Sequence, residues 1–267
     1  MNRKEIKEFF YNQLKSWPLA AKNYRDLEKV KKRPFKTYDL EGYFQFNKGR
    51  SVSSLAKLDP ESVKKRPCFL CSHNRPDPQS GIKILPGWEL HVNPFPILNE
   101  HFTIIKDTHI PQELDIDTGK VLANIMEEYI VFFNGDGAGA SAPDHLHFQA
   151  VPFGTLPLVN LLDSNWEKRE YLNLPFKILT DENEIRNLNV PVNAFFWRNE
   201  DNEIRMLAIP RTKHRPERYF MQPPLRRAIS PGAIDMTGVI VVPIEEDFNI
   251  ITEEEIKDIY QEVGCNE

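Results

Sequence analysis

The stretch Gly139-Ala140-Ser141-Ala142-Pro143-Asp144-His145-Leu146-His147-Phe148-Gln149 constrains this chain more than any other. Polar and apolar side chains alternate from His145 to Gln149, and along a strand such alternation sends them to opposite faces. Leu146 and Phe148 are therefore expected in a core, with His145, His147 and Gln149 together on the other face. A strand that presents two imidazoles and an amide, led in by a turn of small residues, suits an attack on phosphorus. One imidazole serves as nucleophile, while turn N–H groups and the Ser141 hydroxyl hold phosphate oxygens. An isolated H-x-H is more often a pair of surface histidines, so the reading depends on what accompanies it.

The frame is that of a globular protein. A chain of 267 residues is long enough for one large domain or two small ones, and 40% hydrophobic with 27% charged residues is ordinary for such a protein. A net charge of -5 argues against a general nucleic-acid binder. No apolar run approaches the roughly 20 residues of a membrane span, and Met1-Asn2-Arg3-Lys4-Glu5 leads into no signal-type stretch, so a cytoplasmic location is expected.

Read in order, the chain predicts helices over Asn2 to Trp17 and Leu19 to Val30, then strands at Trp88 to Val92 and Phe102 to Ile105. A helix capped by Asp117 or Thr118 should run to about Phe133, with Val121, Ile125, Tyr129 and Phe132 inward. Beyond Pro157 the texture suggests a second half. Ala194 to Trp197 and Ile204 to Ile209 read as a hairpin, Gly238 to Val242 as a buried strand, and Thr252 with Glu255 as a capping box. The runs Phe102 to His109 and Met206 to His214 both go from an apolar strand through a basic turn to a histidine, a hint of duplication. Asn47 to Ser51 places Gly49 between Lys48 and Arg50, which fits either a phosphate contact or a solvated turn.

Three cysteines is an odd number, and Cys68 and Cys71 form a C-x-x-C. In a reducing compartment that spacing points to metal or redox work. A tetrahedral zinc site would need two more ligands, and among the seven histidines His109 and His145 stand where strands could return to the knuckle. The alternatives are a redox pair or two buried thiols. A metal here would be structural, fixing the root of the strand that carries His147.

Taken together, these features resemble the histidine-triad superfamily. The branch in question is that of nucleotidyl transferases, which includes galactose-1-phosphate uridylyltransferase, diadenosine tetraphosphate phosphorylase and the GDP-hexose phosphorylases. The uridylyltransferases carry a G-x-S-x-P-H-P-H-G-Q block, which Gly139 to Gln149 matches with one extra residue, Asp144; the run His145 to Gln149 is similar to the H-L-H-F-Q of the GDP-hexose phosphorylases. The resemblance covers Arg66 to Phe153, and only loosely the run Pro210 to Arg215 beyond it. It implies an α+β fold of antiparallel sheets with flanking helices in two histidine-triad-like halves, 1–157 and 158–267. It further implies His147 as the nucleophile that forms a covalent nucleotidyl-histidine, with Gln149 and Ser141 as phosphate contacts. Asn93 would meet the ribose, alongside Gly139, and Lys48, Arg50, Arg211, Lys213 and Arg215 are candidates for the acceptor or distal phosphate. The implied ligands of a zinc, or alternatively an iron, are Cys68, Cys71, His109 and His145. Glutamine at the third position implies a transferase or phosphorylase, with a nucleoside diphosphate sugar or dinucleoside polyphosphate as donor and phosphate or a sugar phosphate as acceptor. A hydrolase and a non-catalytic nucleotide sensor stay open as other readings. Histidine-triad proteins are often dimers, and a two-half chain can imitate one alone.

Overall fold

Seven strands join in one antiparallel sheet. The structure is a computed structural model that describes residues 2–51 and 59–266. The strands are β3 (Gly81–Leu85), β4 (Trp88–Val92), β5 (Phe102–Lys106), β6 (Tyr129–Asn134), β7 (His147–Pro152), β8 (Val192–Arg198) and β9 (Ile204–Pro210), in the order β3-β4-β5-β7-β6-β8-β9. A smaller sheet joins β1 (Lys31–Thr37) and β2 (Leu40–Phe46) to β10 (Val239–Val242), which runs parallel to β2. The antiparallel seven-stranded sheet, the smaller mixed sheet and the flanking helices make this the expected α+β fold. The large sheet is continuous across residue 157, because β8 pairs with β6 through Val131–Phe196 to Asn134–Asn193.

The sheet is buried on both faces, and alternation along each strand fills two cores. Phe102, Ile104, Val131, Phe133, Phe148 and Phe196 face one core, covered by Ile6 and Phe10 of α1 (Arg3–Ser16), Tyr24 of α2 (Pro18–Leu27) and Leu122 of the helix Ile116–Ile125. Ile130, Phe132, Val151, Phe195 and Leu207 face the other, covered by Phe44, Ile240 and the helix Glu253–Val263. Burying one such aromatic contributes about 1.5–3 kcal/mol, so these faces fix the register of every strand. On the second face of β7, His147 and Gln149 stand where apolar residues would complete the packing, and the cavity lies there.

Three local expectations are corrected. The helix expected to reach Phe133 ends at Ile125, and Tyr129–Asn134 is strand β6. All six residues of β6 are buried and the first five are apolar or aromatic, so the helical spacing of Ile125, Tyr129 and Phe132 carried no information. The cap of that helix is Asp115, whose Oδ1 accepts from the Thr118 N–H at 2.9 Å. The second helix stops at Leu27, short of Val30. The hairpin is as read: Asn199 Oδ1 accepts from the Glu203 N–H at 2.7 Å and closes the turn between β8 and β9. So is the capping box, in which Thr252 Oγ1 accepts from the Glu255 N–H and Glu255 Oε2 from the Thr252 N–H.

Candidate active site

Strand β7 begins at His147, so His145 lies in the turn before it and only His147 and Gln149 share the cavity face. The His147 ring is 4% exposed and lines a cavity of about 420 Å³, within the range of pockets that hold small ligands. Its Nδ1 donates to the carbonyl of His145 at 2.8 Å. That bond fixes the tautomer, leaving Nε2 as the unprotonated nitrogen. Burial, with the neighbouring His145, pushes the ring's pKa down to about 4 against the raising effect of the carbonyl contact, so the imidazole is neutral.

Gln149 is oriented by His101, the residue that precedes β5. His101 is fully buried; its Nδ1 accepts from the Ile97 N–H at 3.3 Å, so its Nε2–H donates to Gln149 Oε1 at 2.8 Å. Burial, reinforced by Arg50, holds His101 down to about 3, so it remains a neutral donor. With its oxygen engaged, the Gln149 amide keeps its nitrogen, a donor, for the cavity.

Around these two residues the cavity has a floor of Thr103, Ile105, Phe132 and Asn134, and a rim that includes Asn93, Gly139 and Ser141. The Asn93 side chain donates to Thr103 Oγ1 at 3.3 Å and accepts from the Phe95 N–H at 2.9 Å, which holds it at the wall. Gly139 has φ +98°, and a Cβ there would stand 2.6 Å from Gly232 Cα; only glycine lets the turn close against that backbone. Arg50 also lines the cavity, with a guanidinium donor on the Phe95 carbonyl at 2.8 Å; burial lowers its pKa to about 10, still cationic, against the pull of Asp235.

Other sequence-predicted contacts lie elsewhere. Lys48 is exposed in a short 3-10 turn, Lys213 pairs with Glu262 at 3.0 Å, and neither lines the cavity. Arg211 is fully buried, and its donors reach the carbonyls of Val263, Pro231, Lys213 and His214 and Asn193 Oδ1. The far wall carries His214, Ser230 and Asp235: His214 Nε2 lies 2.9 Å from Ser230 Oγ, Arg215, outside the lining, donates through Nε to that same Oγ at 3.0 Å, and Asp235 accepts from the N–H groups of Gly232 and Val241. A histidine after a basic turn was visible in the sequence; its serine partner, 16 residues on, had no signal.

The four expected metal ligands do come together. Cys68 Sγ lies 3.3 Å from His145 Nδ1, and Cys71 Sγ lies 3.3 Å from His109 Nδ1 and 3.6 Å from His145 Nδ1; all four ligand atoms fall within 4.8 Å of one another. Ligands at about 2.3 Å (sulfur) and 2.1 Å (nitrogen) around a tetrahedral ion would be about 3.6 Å apart, so the spacing fits. His145 Nε2–H donates to the Lys106 carbonyl at 2.7 Å, which turns the lone pair of Nδ1 toward the sulfurs. Burial and the adjacent Cys68 push the Cys71 thiol up. Asp144, the extra residue of the motif, pairs with Arg66 at 3.0 Å and stands 3.9 Å from His109 Nε2. A wider groove of about 800 Å³ opens over this cluster but contains neither His147 nor Gln149.

With this geometry in view, comparison with known proteins gives a consistent answer. Residues 9–152 match the family described as Domain of unknown function (DUF4922). The chain belongs to that family. This DUF4922 chain is 26% identical over 171 residues to the galactose-1-phosphate uridylyltransferases of Clostridium perfringens strains 13 and SM101, a match covering 55% of the chain and 33% of each relative. It therefore spans about a third of the length of the curated relatives it matches. Its fold is that of yeast Ap4A phosphorylase Apa2. The TM-score is 0.63 at 15% identity to the complex with Ap4A, with both chains fully covered, and 0.56 at 16% identity to the complex with AMP, covering 94% of this chain and 98% of that one. The resemblance to the histidine-triad branch of uridylyltransferases and Ap4A phosphorylases is thus borne out. Among the described residues, no helix is long and apolar enough to cross a membrane.

Proposed function

We propose that the chain is a nucleotidyl transferase of the phosphorylase type, cleaving a dinucleoside polyphosphate or a nucleoside diphosphate sugar through a nucleotidyl-histidine. The observation that carries this reading is the neutral His147 ring at the cavity wall, its Nδ1 committed to the His145 carbonyl and its Nε2 unprotonated. Attack by Nε2 on the α-phosphorus forms an N–P bond and breaks the bridging P–O bond, so the remainder of the donor leaves as a nucleoside polyphosphate or a sugar phosphate. The Gln149 amide and the turn around Gly139 and Ser141 supply donors to the charged oxygens, while Asn93 and Arg50 hold the nucleotide. An acceptor phosphate, already an anion near neutral pH, then attacks phosphorus and frees the histidine. Gln149 cannot remove a proton from water, which favours such an acceptor over hydrolysis.

The relatives support the class of reaction: those matched in sequence are uridylyltransferases, and those matched in fold are an Ap4A phosphorylase with Ap4A or AMP bound. Cys68, Cys71, His109 and His145 would hold one zinc, with iron as the alternative, in a closed structural site that leaves no open position for substrate. Reduced cysteines at such a centre accord with a cytoplasmic protein.

The test is mass spectrometry after mixing the protein, without acceptor, with diadenosine tetraphosphate, UDP-glucose and GDP-mannose in turn. The protein should gain the mass of one nucleoside monophosphate with at least one donor, His147→Ala should gain none, and added phosphate should discharge the adduct faster than water. No adduct with any donor overturns the reading; discharge by water alone makes the protein a hydrolase.

A further inference from the structure

Gln112 belongs to no motif, yet its side chain grips the backbone of His147 from both sides. Strands β6 and β7 pair as far as Phe132–Gln149. Continued toward the turn past Phe133 and Phe148, that register would set Asn134 opposite His147, but the two strands part there. The Gln112 amide stands between them: Oε1 accepts from the His147 N–H at 2.8 Å, and Nε2 donates to the carbonyls of His147 and Asn134, both at 2.9 Å. A primary amide carries the same donor and acceptor as a peptide group, so one side chain replaces a missing strand residue and satisfies both backbone groups of His147.

The clamp is itself held. Gln112 is 5% exposed, its N–H donates to the Pro143 carbonyl at 3.1 Å, and the Ile110 carbonyl accepts from the Leu146 N–H at 2.8 Å. The parting of the strands has a use at each end. It frees the Asn134 side chain to accept from the Ala233 N–H of the far wall at 2.7 Å, and it leaves the His147 ring directed into the cavity.

We propose that Gln112 is a positioning residue for nucleotidyl transfer: it sets the His147 ring against the α-phosphorus without touching the nucleotide. The inference rests on His147 being the nucleophile. Gln112 is absent from the cavity lining, so its loss should leave nucleotide binding largely intact and slow the covalent step. Misplacing a reacting atom by about 1 Å can cost on the order of 10²-fold in rate.

Two variants test it. Gln112→Met keeps the length and removes all three hydrogen bonds; Gln112→Glu keeps the acceptor for the His147 N–H but sets a carboxylate oxygen against two carbonyls. Each is first melted, then measured for AMP, GMP and UMP affinity by calorimetry and for the single-turnover rate of adduct formation with the donor that labels the unaltered protein. The expected result is affinity within about threefold and an adduct rate lowered by on the order of 10²-fold. An adduct rate within about threefold of the unaltered protein overturns the proposal, as does a parallel fall of affinity and rate, which would signal a collapsed cavity. If Gln112→Met shows no cooperative melting, Gln112→Glu decides. Failure of the unaltered protein to form any adduct overturns the nucleotidyl-histidine reading itself, whereas equal labelling of all three proteins overturns the role of Gln112 alone.

Discussion

At the scale of single residues, the site separates the proposed nucleophile, His147, from the amide of Gln149, and each is fixed by a different partner. Gln149 is held by His101, whose ring is tied to the Ile97 N–H, so the amide cannot flip without losing a buried hydrogen bond. Gln149→Glu retains the oxygen that accepts from His101 but replaces the donor facing the cavity with a second carboxylate oxygen. A carboxylate would repel phosphate where the amide attracts it. Adduct formation should fall by on the order of 10²–10³-fold with the melting temperature little changed, as measured by single-turnover kinetics and thermal melting. An unchanged rate would remove Gln149 from the chemistry. His147 and Gln149 were legible in the sequence because alternation along a strand is local and by itself assigns each side chain to a face. Gln112 and His101 were not, because each acts through a hydrogen bond to a residue 35 or 48 positions away.

At the scale of elements, the loop that carries Cys68 and Cys71 and the segment after β5 that carries His109 meet at the root of β7. Arg75 ties this loop to the sheet, donating to the Leu70 carbonyl at 3.0 Å and to Glu89 at 2.8 Å. A bound metal would complete the joint, since a closed four-ligand site contributes folding energy outright. Cys68→Ser should therefore lose the metal, read by elemental analysis, and melt at a lower temperature; chelator treatment of the unaltered protein should lower the midpoint similarly. A metal-free protein of undiminished stability would refute the site. The knuckle spacing of two cysteines is local and visible; His109 and His145 stand at the end or start of strands that could return to it, and the family resemblance implies the same pair. The misread helix shows the opposite limit. A strand buried on both faces has no period of its own, so Tyr129–Asn134 looked like a continuation of the helix before it.

At the scale of the whole molecule, the second half of the chain completes both the sheet and the cavity, and Arg211 fastens it in place. Its guanidinium reaches five acceptors on four segments, and although burial lowers its pKa to about 10 it stays charged. Bonds to charged groups contribute about 1.5–3 kcal/mol each when their loss strands a buried partner. Arg211→Met should then cost at least about 3 kcal/mol, or roughly 6–12 °C of melting temperature for a chain of this size. Lys213→Ala removes only a partly exposed pair with Glu262, worth about 0–1 kcal/mol, and should move the midpoint by no more than a few degrees. Equal shifts in the two variants would contradict this assignment. The sequence marked both cations as one basic turn, because burial is a property of the assembled fold.

The parallel pairing of β2 with β10 joins segments about 200 residues apart in sequence, and Val241 of β10 forms part of the cavity wall. During synthesis the strand of the proposed nucleophile therefore leaves the ribosome well before the wall that faces it. On the proposed function, His147 would gain its reactivity toward nucleotides only once that later segment has emerged and closed the cavity.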